Sequence, residues 1–356
     1  MKTIRTLALC VLVTMSSTTQ CWADGKSRAS SHAPIGMMGD HLHKQGGLML
    51  SYRFMHMDME GNRIGNDDAS PETITTTVPN RFFGRPMQPP TLRVVPTKMT
   101  MQMHMFGIMY APADWVTLMA MLNYTEKEME HITFMGGAGT TRLGTFTTET
   151  QGIGDTRVSA LMRLFHSGIH KAHVNLGLSL PTGSTNETDS ILTPMGTRPN
   201  QRLPYAMQLG SGTLDLLPGL TYSGTSGAID WGAQYSGTVR MEKDNGYQWG
   251  DKHVISGWTS YSPRDWVSFS TRLEFSTMGK IDGSDSRIVA PVQTANPNNY
   301  GGERVDLKFG INLLGRLDWV RGHRLAIEGG IPIVQDLNGP QMETDFMISV
   351  GWQYAF

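Results

Sequence analysis

The sequence predicts an all-β chain, a closed antiparallel transmembrane β-barrel of about 12 strands with periplasmic N- and C-termini. Three observations predict it. From residue 46 onward apolar residues recur at every second position in runs of about ten, the period of a strand with two unlike faces. The connections between runs alternate long and short, as they do when one end of a barrel carries turns and the other carries loops. No apolar run exceeds residues 7 to 13, whereas a membrane-spanning helix needs roughly 20 such residues. The length of 356 residues suits one large barrel, and 30 basic against 31 acidic residues leave no electrostatic footprint for nucleic acid.

Residues 1–23 read as a secretory leader. Lys2 and Arg5 give the positive start, residues 7 to 13 the apolar stretch, and Cys21-Trp22-Ala23 the cleavage site before Asp24. Both cysteines, Cys10 and Cys21, would leave with it, so the exported chain has no disulfide to hold it. Residues 24–45 are too polar and too rich in Gly and Ser for a strand. They carry His32, Met37, Met38, Asp40, His41 and His43 and are expected to be a periplasmic N-terminal extension, a lumen plug or a metal-capturing tether.

The barrel is expected over 46–356, with strands at 46–57, 98–110, 115–127, 153–166, 171–181, 205–223, 228–241, 248–261, 266–277, 303–314, 324–334 and 342–356. No stretch shows a helical period. The long connections, chiefly 58–97, 128–152, 182–204 and 278–302, would lie outside the cell. The short ones, such as 111–114, 167–170 and 262–265, would face the periplasm. Tyr110-Ala-Pro-Ala-Asp114-Trp115 and Tyr261-Ser-Pro-Arg-Asp265-Trp266 repeat one turn at that end, where aromatic rings form an interfacial girdle. The last strand places Phe346, Ile348, Val350, Trp352, Tyr354 and Phe356 on one face. A terminal outward aromatic resembles the signal read by the barrel-assembly machinery, so the expected location is the outer membrane of a Gram-negative bacterium, with its lipid, that machinery and a small-molecule solute as partners.

Most of the 25 methionines precede residue 136. Outward Leu48, Leu50, Tyr52 and Phe54 put Met55 and Met57 in the lumen. Outward Val116, Leu118, Ala120, Leu122 and Tyr124 do the same for Met119 and Met121. The strand between them is ambiguous: a girdle position for Tyr110 turns Met101, Met103, Met105 and Met109 inward but sends His104 toward lipid. Thioether and imidazole are ligands for soft Cu(I), and the candidate metal set is Met37, Met38, His41, His43, Met55, Met57, Met103, Met105, Met119 and Met121. Methionine is also a flexible apolar filler, which would make the same wall a greasy path for organic solutes, with no cofactor.

No catalytic constellation is found, and the chain is not expected to be an enzyme. Gly210-Ser211-Gly212 lacks the spacing of a nucleophile elbow, and His166, His170 and His173 read as a solvated cluster on a turn.

Four segments, Ile153-Gly-Asp-Thr156, Leu178-Ser-Leu-Pro-Thr-Gly-Ser184, Leu209-Gly-Ser-Gly-Thr-Leu-Asp215 and Ile331-Pro-Ile-Val-Gln-Asp-Leu-Asn-Gly339, resemble the outer-membrane family named for the meta-cleavage pathway of phenol degradation. The resemblance is clearest over 153–356, the methionine-rich first third being a departure. It implies a transporter of small apolar or aromatic compounds and transfers no functional residue. The expected function is an outer-membrane channel or transporter for such solutes. The alternatives are soft-metal (copper) binding or transport, and a plugged structural or receptor barrel.

Overall fold

The structure, a computed structural model, describes residues 28–356. The leader expected over 1–23, and the start of the extension, lie outside the described residues. The main strands are β1 (Leu48–Gly65), β2 (Val94–Ala113), β3 (Val116–Phe134), β4 (Arg142–Ile153), β5 (Thr156–Ser167), β6 (His170–Leu180), β7 (Asp215–Ser226), β8 (Ile229–Arg240), β9 (Lys252–Arg264), β10 (Val267–Met278), β11 (Gly302–Leu314) and β12 (His323–Ala355). All but β4 form an antiparallel circuit in chain order, and β12 closes it by pairing with β1 from Met49↔Ala355 onward. Closure gives every strand of the circuit two neighbours, while β4 pairs with β3 alone.

The burial pattern is inside out relative to a soluble protein. Phe106, Ile108, Leu118, Leu122, Ile255, Phe269, Leu273, Phe309 and Ile327 are exposed on the outer face, while Arg272, Asp306, Asn312, Thr221 and Gln234 are buried within. Short turns close one end, at 114–115, 168–169, 227–228 and 265–266, and long loops the other. The two ends of the described chain meet at the short-turn end. There the Ala29 N–H donates to the Asp265 carbonyl, and the Phe356 N–H to that of Leu48.

The strands expected at 324–334 and 342–356 are the two arms of β12. One arm pairs with β11 from Arg324 to Leu337, and the other with β1 from Gln341 to Ala355. The arms double back on each other at Gly339, whose φ of 70° favours glycine. The Ala355 N–H donates to the Gly322 carbonyl, Arg324 to Gln353, and Gln335 and Thr344 exchange two hydrogen bonds.

Residues 128–152 are not a loop. β3 continues to Phe134 and returns as β4, pairing from Phe134↔Arg142 to Tyr124↔Ile153. β4 and β5 then lie end to end along β3, since Met121 opposes Arg157. The tall part is missed by an apolar alternation because its outward positions, Glu126, Glu128 and Glu130, are acidic. Conversely, 205–214 is not strand: Tyr205–Met207 is a 3-10 turn, and the ladder starts only at Asp215. A seven-residue helix, Pro71–Thr77, sits in the first long loop, begun by Ser70, whose hydroxyl accepts from the Thr73 N–H.

The long loops form a hydrophobic core of their own over the barrel mouth. Tyr205, Tyr247, Phe82, Phe146, Ile281, Ile288, Val292 and Tyr300 pack together there, with the Tyr205 and Tyr247 rings edge to face at 4.7 Å. Arg93, wholly buried, donates to the carbonyls of Met135, Gly136 and Gly139 and so fixes the β3–β4 tip.

Candidate functional site

The interior of the barrel is the candidate site, and three sets of residues build it. The first is the N-terminal segment. Residues 28–47 enter from the short-turn end, run inside the strands and leave again at Leu48. Arg53 donates to the Met37 carbonyl, Gln234 to that of Met38, His173 to that of Gly39, and the Glu328 carboxylate accepts from the Gly36 N–H. A Cβ on Gly351 would meet Ile35 at 2.6 Å, so the last strand leaves just enough room for the segment to pass. Met37 is buried against Ala33 and Trp258.

Within this segment the Ala33 N–H donates to Asp40 at 3.0 Å, closing a turn of eight residues. His32 and His41 flank the closure with ring centroids 4.9 Å apart, and His43 lies 4.8 Å beyond His41. The His41 Nδ1 and the Asp40 carboxylate are 2.9 Å apart. Burial, followed by the nearby Arg324 guanidinium, holds the His32 imidazolium well below its usual range, and burial with the neighbouring His41 takes His43 down to about 3. Burial alone would raise the Asp40 carboxyl, but the charge and hydrogen bond of His41 together with Arg324 override it and hold it well below the carboxylate range.

The second set is a methionine sector. Met55 opposes Met103, Met57 opposes both Met101 and Met347, Met59 opposes Met99, and Met49 opposes Met109. Met109 in turn opposes Met119, and Met99 opposes Met129. Residues directly opposed in an antiparallel ladder share a face. That face is the inner one, since Met49, Met99, Met105, Met109, Met121 and Met129 are buried. At the short-turn end Met49, Met109 and Met119 pack with Leu42 and Leu161; at the long-loop end Met99 and Met129 pack with Leu203 and Met207. The inward reading of Met101, Met103, Met105 and Met109 therefore holds, and His104 does face outward. Its Nδ1 is 2.8 Å from the Tyr52 hydroxyl on the neighbouring strand.

The third set is ionic and lies on β10, β11 and the first arm of β12. Arg272 is paired with Glu328 and Glu274, Lys308 reaches Glu274 at 2.8 Å and Asp306 at 3.5 Å, and Arg304 reaches Asp306 at 2.9 Å. Buried charges survive only when paired, so this sector is held together internally. At the long-loop end Lys127 donates to the carbonyls of Ala206 and Gln208, pinning the loop 181–214 into the mouth. Two apolar depressions of about 630 and 660 Å³ are lined mainly by outward side chains such as Ile108, Leu118, Leu176, Phe269 and Phe309, so they are not interior space.

The ten sequence-predicted metal residues thus do not converge on one point. Met55, Met57, Met103, Met105, Met119 and Met121 share the inner wall, His41 and His43 sit together in the N-terminal segment, and Met37 and Met38 attach that segment through their carbonyls. Sequence reasoning missed His32 and Asp40 as partners of His41. The available signal was Pro34 and Gly39, which turn the chain between them. It also missed Met342 and Met347, which carry the sector onto β12. His170 pairs outward with Tyr222 while His173 points inward to Gly39, so no histidine cluster forms at that turn.

An antiparallel barrel closed on itself, apolar outside and polar or thioether-lined within, is the architecture of an outer-membrane β-barrel. An outer membrane channel from Pseudomonas putida F1 has the same fold, at a TM-score of 0.58 and 13% identity over 89% of this chain and 98% of that one. The β domain of the Bordetella autotransporter BrkA (TM-score 0.46, 11% identity, 88% of this chain and 100% of that one) and a monoaromatic hydrocarbon channel, TodX (0.44, 10%, 89% and 91%), superpose more loosely and carry no argument. The sequence matches no family model and no curated protein.

Proposed function

We propose that this chain is an outer-membrane transporter of small apolar or aromatic solutes, exported by residues 1–23, inserted by the barrel-assembly machinery and related to the phenol-pathway family. In this reading both termini are periplasmic, the two arms of β12 cross the membrane separately to give about twelve crossings, and residues 24–45 plug the lumen. The observation that carries it is the methionine sector, unbroken from Met49, Met109 and Met119 at one end to Met99 and Met129 at the other. Thioethers are polarizable and make favourable contacts with aromatic rings, and their flexible stems let a solute pass without a fixed binding pose.

A second reading, passage of soft Cu(I), is favoured by the directly opposed pairs Met55 with Met103 and Met57 with Met101. One experiment separates the two. Met→Leu at 55, 57, 103, 105, 119 and 121 keeps the apolar wall and removes the sulfur. Uptake of an aromatic probe retained, with copper sensitivity unchanged, supports the organic-solute reading. Lost copper sensitivity supports the second. Aromatic uptake no faster than in cells lacking the protein overturns the first.

A further inference from the structure

We propose that His32, His41 and His43, with Asp40 behind His41, form a site for a divalent transition-metal ion of borderline softness such as Zn²⁺, which clips the N-terminal segment inside the short-turn end of the barrel. The proposal does not depend on which solute the barrel takes. One ligand atom from each of His32, Asp40 and His41 lies within 4.8 Å of the other two, and the His43 ring is adjacent to that of His41. Two nitrogens of this cluster, His32 Nδ1 and His43 Nε2, are buried without any hydrogen-bond partner. Buried polar atoms of a folded protein are almost always satisfied, and a metal ion would satisfy both.

The third imidazole is already oriented. His41 turns Nδ1 to the Asp40 carboxylate at 2.9 Å, which leaves Nε2 as its coordinating atom, the carboxylate–histidine–metal arrangement that fixes the tautomer of a ligating ring. Three imidazole nitrogens suit Zn²⁺ or Cu²⁺ rather than a hard cation, and no thiolate is at hand to favour a softer one. Asp40 supplies the compensating negative charge. The nearest competing cation, Arg324, is engaged by the Ala33 carbonyl at 2.5 Å, Asn312 at 2.7 Å and Gln353 at 2.6 Å.

The site also spans the closure of the turn. His32 and His41 stand just outside the Ala33–Asp40 hydrogen bond, so an ion held by both would lock the turn whose tip, Gly36 to Gly39, reaches Glu328, Arg53, Gln234 and His173. Metal binding is thereby coupled to the order of the segment.

The test uses the full exported chain in detergent, titrated with Zn²⁺ by calorimetry, with Co²⁺ as a spectroscopic stand-in. We expect one saturable site, weakened about tenfold or more by Asp40→Asn and abolished in His32→Ala with His41→Ala. Met55→Leu with Met103→Leu should leave it intact. Zn²⁺ should also protect residues 28–47 from protease in the parent and not in the double variant, with heat-modifiable migration establishing that each barrel is folded. His43→Gln, which keeps the bulk of the ring, should weaken binding even if the double variant fails to fold. Absence of saturable binding, or equal affinity in folded parent and His43→Gln, overturns the proposal.

Discussion

Ser211 binds the Asp155 carboxylate twice, through its N–H and its hydroxyl, both at 2.8 Å to Oδ2. The other oxygen accepts from the Gly183 N–H at 3.0 Å. A Cβ on Gly183 would fall 2.6 Å from the Gly210 Cα, so the two chains touch where only glycine fits. Three of the four sequence motifs that suggested a family, distant along the chain, therefore meet at the break between β4 and β5 and tie the loop 181–214 down. Asp155→Asn leaves donors facing a weaker acceptor and is expected to cost about 1–3 kcal/mol locally, and Gly183→Ala a similar amount through overpacking. Limited proteolysis should cut within 181–214 in both variants while the heat-modifiable barrel persists; an uncut loop would show that the knot is dispensable.

On the outer face, Tyr52→Phe removes the hydrogen-bond partner of His104 Nδ1 and strands it beside the Phe54 ring. In lipid no water replaces it, so we expect about 1–3 kcal/mol of destabilisation. Tyr52→Phe combined with His104→Phe should recover most of that. Denaturant unfolding of the barrel in liposomes measures both, and a double variant no better than the single one would refute the pairing.

Asp285 governs the loop core. It is ion-paired with Arg202 at 2.8 Å, accepts from Arg287 at 2.9 Å, and its N–H donates to the buried Tyr205 hydroxyl. Burial pushes its carboxyl up, but the hydrogen bonds and charge of Arg287 and Arg202 outweigh this and leave it below the ordinary value. A depressed carboxylate contributes stability that is present above the unfolded value of about 3.9 and is lost as pH falls through the lower folded one. Amide protection factors around Tyr205 and Tyr247, taken relative to the intrinsic exchange rate at each pH, should therefore fall below about pH 3.9, and Asp285→Asn should show the low protection already at neutral pH. Equal protection factors at about pH 3 and 6 in the parent would contradict this.

Topology can be read by labelling. Both cysteines precede residue 22, so with residues 1–23 removed, as proposed above, an introduced cysteine is unique. Met87→Cys, at a residue 89% exposed in the first long loop, should react with an impermeant thiol reagent on intact cells. Gly168→Cys, in a short turn, should react only after the outer membrane is breached. The reverse pattern would invert the barrel.

What the sequence made legible is the part that lipid imposes. Where a strand faces hydrocarbon, its alternation is apolar against polar, and β8 to β11 emerge close to their true limits. The inward turn of Met101 to Met109 follows from placing Tyr110 in the girdle, although the partner that makes an outward His104 tolerable sits 52 residues away in Tyr52. Beyond the apolar belt the rule lapses. Glu126, Glu128 and Glu130 alternate with Lys127, Met129 and His131 as strictly as any strand, but both faces carry polar groups, so an apolar period does not register them. The loop core over Tyr205 was invisible because its members come from four separate loops and, through Phe146, from β4, with no shared period. In the N-terminal segment the residue types were plain, while the approach of His32 to His41 depends on a turn whose tip is held by the barrel.

The route taken by residues 28–47 has a consequence for the order of assembly. This segment precedes β1, yet Gly36 and Ala33 bond to Glu328 and Arg324, 292 and 291 residues further on. Its berth does not exist until the last strands have been made. The seam that seals the barrel, β1 against β12, is built from the strand that immediately follows the segment. Docking of the segment therefore waits on the strands made last, and such distant contacts make this step slow. Because the segment enters and leaves by the same end, it seats like a looped wick in a lamp, and drawing it out means releasing its bonds to Glu328, Arg324, Arg53, Gln234 and His173 while the seam stays shut.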